Sequence, residues 1–492
     1  MESFIDLHKT IILGVIEGFD RIIFKGWFDS FFPKGAIARY LGQRGILLKW
    51  FDETKLPVCD GTSAAYSTSG EQKGKQGGKF VSSSHLKHAK EFFCQESNRI
   101  IDHAKQFAQQ AGRPYIYLAS AHTHASGQSK EDEARKIAEQ DGITEGLVCI
   151  FSVLEPCDSF KVQGNRKTQR LEIKPYRTKC LHLYWYIIDP VYGWMHVRIQ
   201  TWAPYTIQIY INGREYLCRQ LDQAGIPYQR SDNKILNVDD FEALAQLSEK
   251  FNHTEWAKLF PRFAEMVNPL LTDIANSGFG DYWWVTDQAE IATDILFRSR
   301  EDLDRILEDL IRASIIGFDA HDVMRFLGRK MHPLFEGEVA IDTKKRLQGC
   351  RVKFRVKRNS IKFYDHLNVL RIETTINNPS EFKILRPAPE GEEDNNKDRW
   401  VPMRKGVSNF WRYSEVALAA NRRLINALAN APLQGDATEA LDRIIRCHEE
   451  KGRHIPAFNP VLPETVDLFI AVLSGEFFIN GFRNHDLRAK LY

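Results

Sequence analysis

The sequence holds eight cysteines, Cys59, Cys94, Cys149, Cys157, Cys180, Cys218, Cys350 and Cys447, and no C-x-x-C pair among them. Scattered thiols exclude a zinc ribbon and a disulfide framework, and they predict a reducing, cytoplasmic compartment. No run comes near the roughly 20 apolar residues of a membrane-spanning helix, so no membrane is expected as a partner. The opening MESFIDLHKTIILGVIEGFD carries acids where a secretory leader has a basic and then an uninterrupted apolar stretch. There is no P-loop, no G-x-G-x-x-G, no G-x-S-x-G and no internal repeat, which leaves a nucleotide-cofactor or serine-hydrolase reading without a fingerprint. An excess of one charge is missing too: 67 Lys and Arg face 64 Asp and Glu, a formal +3. Any nucleic-acid argument must therefore rest on where bases cluster.

They cluster between Asp342 and Ile376. Nine bases, Lys344, Lys345, Arg346, Arg351, Lys353, Arg355, Lys357, Arg358 and Lys362, occur with no acid before Asp365. From Arg351 to Lys357 bases alternate strictly with Val352, Phe354 and Val356, so a strand puts the cations on one face and the apolar groups on the other. Asn359 and Ser360 supply turn chemistry, and Ile361 to Asp365 and Val369 to Ile376 alternate again. The expected product is a three-stranded antiparallel meander whose exposed face carries four bases with Tyr364, Arg371 and Glu373. A solvated outer face is the plain explanation. A row of nine like charges instead predicts a surface that tracks phosphates.

The fold class expected is mixed α/β and α+β. Residues 1–230 read as an α/β domain with a mobile, glycine-rich loop at 60–79, residues 231–335 as a helical middle, 336–386 as the basic antiparallel sheet, and 387–492 as an acidic loop followed by C-terminal helices. In the middle section DDFEALAQLSEKF, TEWAKLFPRFAEMV, TDQAEIATDILF and EDLDRILEDLIRAS all carry the helical period. The last section has a segment that begins with Arg404 and Lys405 and continues as a helix with Arg412, Arg422 and Arg423, further candidates for nucleic-acid contact.

Acids placed near this basic surface are candidate metal ligands. Asp20 is read at the start of a strand, Glu155 at the end of an interior one, and Glu290 and Asp294 four apart, on one face if the segment is helical. The His122-Thr-His124 pair is a weaker metal candidate in a polar loop. Mg²⁺, or Mn²⁺, is the cofactor such carboxylates suit. Tyr364, Asp365 and Glu373 are the candidate catalytic residues, Tyr364 competing with a metal-activated water for the role of nucleophile.

Several motifs together resemble a large, multi-copy bacterial family whose members are sometimes labelled MarR-type regulators. They include Phe19-Asp20-Arg21, Glu155-Pro-Cys157, Asn212-Gly-Arg-Glu215, Glu290-Ile-Ala-Thr-Asp294, Asn359 to Asp365, Leu370 to Asn378, Met403-Arg-Lys-Gly406 and Gly481-Phe-Arg-Asn-His-Asp-Leu487. The resemblance implies a mobile genetic element. Relatives commonly continue past the last motif into a winged helix; the expectation here is a chain that lacks that DNA reader or is a short form. Tyr364-Asp365 and Arg371-Ile-Glu373 are also similar to two strands of rolling-circle replication initiators, which implies a tyrosine nucleophile beside acidic groups. The expectation is a Mg²⁺-dependent DNA strand-processing enzyme, transposase or nicking initiator, acting on nucleic acid and compatible with a homodimer. The alternative is a non-catalytic RNA- or DNA-binding protein in a ribonucleoprotein with a structured noncoding RNA.

Overall fold

The segment Ile12–Phe28 is β-branched and aromatic at almost every second position and becomes a 17-residue strand, β1, along which the rest of the molecule assembles. The computed structural model describes residues 1–28, 65–67, 83–119, 129–165, 170–274, 282–329, 339–346, 349–386, 399–430, 447–450, 452–455, 457–458, 462–472, 477 and 481–491. After β1 come β2 (Ala65–Ser67), β3 (Tyr115–Leu118), β4 (Gly146–Asn165), β5 (Arg170–Asp189), β6 (Gly193–Gln200), β7 (Ile207–Asn212), β8 (Tyr228–Ser231) and β9 (Lys234–Val238). They are followed by β10 (Tyr282–Phe297), β11 (Val339–Arg346), β12 (Gly349–Val356), β13 (Asn359–His366) and β14 (Val369–Ile376). Twelve of these strands share one sheet in the order β11-β12-β13-β14-β10-β1-β7-β6-β5-β4-β3, with β2 beside β5. Every pairing in it is antiparallel except β3 with β4. The mixed α/β and α+β class expected from the sequence is what forms.

Helices cover one face of the sheet almost completely. Beneath β12 to β14, Val352, Phe354, Phe363 and Ile372 pack on helices Arg300–Arg312, Ala320–Phe326 and Phe410–Ala429. Beneath β5 to β7, Trp185, Val197 and Ile209 join a second cluster with Ile100 of helix Ser83–Gln110 and Phe260 of helix Trp256–Val267. On the opposite face a third, smaller cluster sets Ala134 and Ala138 of helix Lys130–Gln140 against Phe151, Tyr184 and Trp194. Over β10 to β14 that face carries, among the described residues, the β8–β9 hairpin and no helix, and there the polar side chains gather.

One segment of the expected helical middle is not helical. TDQAEIATDILF lies within β10, between β1 and β14. From Ala289 onward every β10 residue is buried, and burial of both faces erases the two-residue alternation that marks a half-exposed strand. The basic meander is also longer than expected, since β11 adds a fourth strand at its edge. Its first turn falls at Lys357-Arg358, with Lys357 at φ 53°, so that Asn359 already begins β13. Most of the loop at 60–79, His122, His124 and the acidic stretch 387–398 lie outside the described residues; within the loop, 65–67 pairs with β5. Among the described residues no helix is long and apolar enough to cross a membrane.

Candidate metal centre and basic face

Cross-strand register builds the site. On the helix-free face, Arg351, Tyr364, Arg371 and Asp294 form one row across β12, β13, β14 and β10, and Lys353, Lys362 and Glu373 form the next. Arg355, Ser360, Thr375 and Glu290 make the third. The outer strands therefore contribute cations and the inner ones carboxylates. Asp20 joins through a bulge: β1 pairs Phe19 with Ile291 and Arg21 with Glu290, leaving Asp20 as the extra residue and turning it to this side. Asp20 thus sits in mid-strand, not at the strand start read from the sequence.

Asp20, Glu290 and Glu373, all buried, each offer a carboxylate oxygen within 4.8 Å of the others. On an octahedral Mg²⁺ with bonds of about 2.1 Å, neighbouring oxygens lie about 3.0 Å apart and opposite ones about 4.2 Å; the three carboxylates would draw together by up to ~2 Å to supply three of its six positions. Asp20 accepts hydrogen bonds through Oδ1, from Asn233 Nδ2 at 2.7 Å and from Arg371 Nη1 at 2.6 Å. Burial works against its charge, but Arg371 and Arg214 outweigh it and hold the carboxyl below the usual range. Glu373 is the opposite case. Burial, and then the neighbouring Glu290 carboxylate, push it up to about 8, although Lys362 Nζ stands 2.6 Å from its Oε1. A divalent cation between Glu290 and Glu373 would cancel that repulsion, which is the electrostatic signature of a cation site.

Arg371 locks the floor. It forks onto Asp294 through Nε and Nη2, reaches Asp20 through Nη1 and donates to the Asn233 carbonyl through Nη2. Arg214 Nη2 approaches Asp294 Oδ2 at 2.9 Å as well. Gly213 makes that approach feasible: a Cβ there would lie 2.0 Å from the Phe19 carbonyl oxygen. Its neighbour Asn212 caps the following helix and donates to Asn233 Oδ1, so the hairpin tip, the helix start and Asp20 form one relay.

A cleft of about 290 Å³ opens over these groups, lined among others by Asp20, Glu290, Glu373, Arg351, Lys362 and Tyr364. The Tyr364 hydroxyl donates to Glu373 Oε2 at 3.3 Å, and Lys234 and Lys362 stand 5.3 and 5.8 Å from its ring centre. Burial raises the phenol far above its ordinary value. Lys353, half-buried, is pulled down by burial and then by Lys362 and Arg351 beside it.

Several sequence-derived assignments are placed elsewhere. Asp294 is not in the carboxylate triad, because Arg371 and Arg214 occupy both its oxygens. The reason is strand geometry: four residues span about 13 Å on a strand against about 6 Å on a helix. Glu155 lies on β4, outside the triad, hydrogen-bonded by Lys130 and Tyr184. Asp365 is tied to Arg300 and to the Cys350 backbone N–H. Arg371 and Glu373 are each 1% exposed, not surface groups: Arg371 donates to the Asn233 carbonyl at the β8–β9 tip, and Glu373 lies among Lys362, Tyr364 and Glu290. Other bases face protein carboxylates: Arg351 with Asp342, Lys357 with Glu381, Lys362 with Glu373, Lys405 with Asp287, Arg412 with Glu415 and Arg422 with Glu17. Arg423 donates to the Phe326 carbonyl. Lys344, Lys345, Lys353, Arg355, Arg358 and Arg404 meet no carboxylate at ion-pair distance among the described residues, and all but half-buried Lys353 are exposed. Arg346 ends β11. Arg21, Arg214, Asn233 and Lys234 carry no role in the sequence reading, although the Phe19-Asp20-Arg21 and Asn212-Gly-Arg-Glu215 motifs contain the first two. Compared with known proteins, the chain matches no family model, and no curated protein or solved structure is similar to it.

Proposed function

We propose that the protein is a divalent-metal-dependent enzyme acting on the phosphodiester backbone of DNA, with Mg²⁺ or Mn²⁺ held by Asp20, Glu290 and Glu373. The observation that carries this reading is the juxtaposition of three convergent buried carboxylates with a cationic rim on the same sheet face. A bound Mg²⁺ would polarise a phosphate oxygen and lower the pKa of a water. Lys353, in the row of Glu373, and Arg355, in the row of Glu290, would hold the phosphates on either side of the reacting one. Lys362 and Tyr364 flank Glu373 and orient its carboxylate toward the cleft. A water nucleophile suits this arrangement better than Tyr364. The phenol is held strongly protonated, and its hydroxyl is committed to Glu373.

The test is paired. Mn²⁺ binding, followed by electron paramagnetic resonance, should give one site in the wild type and none in Glu290→Gln/Glu373→Gln. Labelled single-stranded, duplex and hairpin DNA should be cut in Mg²⁺ by the wild type and not by that variant. Absence of cleavage on all three substrates, with RNA copurifying, would replace this reading by the ribonucleoprotein one.

A further inference from the structure

The cations that line the carboxylate cleft are Arg21, Lys234, Arg351, Lys362 and Arg371. Four of them are committed to protein carboxylates. Arg21 reaches Glu290 at 4.0 Å, Arg351 meets Asp342, Lys362 meets Glu373, and Arg371 meets Asp20 and Asp294. Lys234 is the exception. Among the described residues it makes no hydrogen bond and no ion pair, although it is only 7% exposed. Its Nζ stands 5.3 Å from the ring centre of Tyr364, whose hydroxyl donates to Glu373. A ring face attracts an ammonium but leaves its three N–H donors without an oxygen acceptor. Asp294, Asp232 and Asp20 attract the charge from beyond ion-pair distance, but burial and then Arg371 outweigh them and hold the ammonium below its ordinary value.

The fold keeps this disfavoured charge in place. Lys234 opens β9 and pairs with Ser231 across the Asp232-Asn233 tip. Asn233 beside it is fixed on three sides, by Asp20 Oδ1 at 2.7 Å, Asn212 Nδ2 at 2.6 Å and Arg371 Nη2 at 2.9 Å. The backbone from which the lysine rises is therefore tied to the floor of the metal centre. A preformed, half-desolvated cation with open donors stabilises an arriving anion more than a solvated one does, because it has little water to shed and no partner to leave. The cleft, of about 290 Å³, also contains the carboxylate triad. An anion shared between a divalent metal and Lys234 needs two oxygens to divide between them. The two non-bridging oxygens of a phosphodiester meet that need, and lysine binds such an oxygen as a point charge.

We propose that Lys234 receives one non-bridging oxygen of the scissile phosphodiester while the other faces the metal held by Asp20, Glu290 and Glu373. The proposal rests on the phosphodiester reading and deepens it by naming the side chain that touches the reacting group. Lys234 itself makes and breaks no covalent bond. Water oxygen bonds to phosphorus, the ester oxygen departs, and the proton released by the water ends on that leaving oxygen. Lys234 neutralises the charge that the non-bridging oxygen carries through this step.

The experiment compares the full wild-type chain with Lys234→Met, Lys234→Arg and a control, Lys258→Met, at an exposed position of helix Trp256–Val267. One readout is the melting temperature of the metal-free protein. Lys234→Met should raise it in chloride, because the apolar stem is kept and a buried charge that the fold disfavours is removed. Inorganic phosphate at equal ionic strength should raise the wild type by more than it raises Lys234→Met. The other readout is single-turnover cleavage of labelled single-stranded, duplex and hairpin DNA in Mg²⁺. Lys234→Met should cut about a hundredfold more slowly or worse with an unchanged Mn²⁺ signal. Lys234→Arg should recover about tenfold or more of that loss, and Lys258→Met should match the wild type in both readouts. A lower melting temperature for Lys234→Met with an equal response to phosphate, or cleavage within about threefold of the wild type, overturns the role of Lys234 and leaves the metal centre standing. A wild type that binds Mn²⁺ but cuts none of the three substrates overturns the phosphodiester reading, and this role with it.

Discussion

Arg371 meets Asp294 side-on, Nε to Oδ1 at 2.5 Å and Nη2 to Oδ2 at 2.8 Å, and both residues are fully buried. Because the third guanidinium nitrogen holds Asp20, the position of one candidate metal ligand depends on an acid that is not itself a ligand. Removing one partner of a buried pair leaves the other charge without compensation, at about 3–5 kcal/mol. Arg371→Met should cost about that much in denaturant unfolding. Asp294 keeps Arg214 as a partner, so the carboxylate left short of compensation is Asp20, and Arg371→Met/Asp20→Asn should cost clearly less. A double variant no more stable than the single one would show that Asp20 does not carry the cost. Arg371→Lys should also be poorly tolerated, since an ammonium cannot reproduce the fork.

The same pair shows where the sequence was readable. The meander is legible because the outer face of β12 and the middle of β13 is only half-buried while the inner face is fully buried, so polarity alternates residue by residue. The cation row and Glu373 follow from that pattern, and Glu290 and Asp20 stand out as acids. What could not be read was β10. With both sides buried, Ala289 to Phe297 has no alternation to detect. Its acids therefore fell at a helical spacing that would have made Glu290 and Asp294 partners. Nor does any local pattern reveal that Arg371 is capped by a hairpin tip more than a hundred residues away in sequence.

The Tyr364 hydroxyl is a hydrogen-bond donor to Glu373 and strongly protonated, so its removal tests the choice of nucleophile. Tyr364→Phe should retain metal-dependent cleavage to within about tenfold, the loss reflecting a less well oriented carboxylate. No covalent protein–DNA product should accumulate on denaturing gels. Complete loss, with a covalent adduct in the wild type, would assign the attack to the phenol.

His196 provides a pH dependence outside the cleft. It stacks on Tyr210 with ring centres 4.8 Å apart, and burial, reinforced by Arg198 and Lys130, lowers it to about 3. Its unfolded value is near 6.5, so below that pH the unfolded chain binds a proton that the folded one refuses. The stability contribution is complete above pH 6.5 and declines as pH falls toward 3. His196→Phe keeps a ring of similar shape and removes the titration. Its melting temperature should therefore fall less than that of the wild type between pH 6.5 and 4. Parallel melting curves for the two proteins would sink the assignment.

The bases of the meander should divide into two groups according to what they face. Lys353 and Arg355 meet no protein carboxylate at ion-pair distance among the described residues, and burial, followed by the neighbouring cations, holds Lys353 down. A bound phosphate would relieve that repulsion and release counterions. Arg412 and Arg422 already face Glu415 and Glu17. Substituting either of these by Ala removes a cation and frees an acid, which leaves the number of phosphate contacts unchanged. Binding of duplex or single-stranded DNA measured across a salt series separates the cases. Lys353→Ala and Arg355→Ala should each reduce the slope of log K against log salt by about one. Arg412→Ala and Arg422→Ala should leave the slope within error. Equal slope changes for all four would mean that total charge, and not the face presented by β12, holds the nucleic acid.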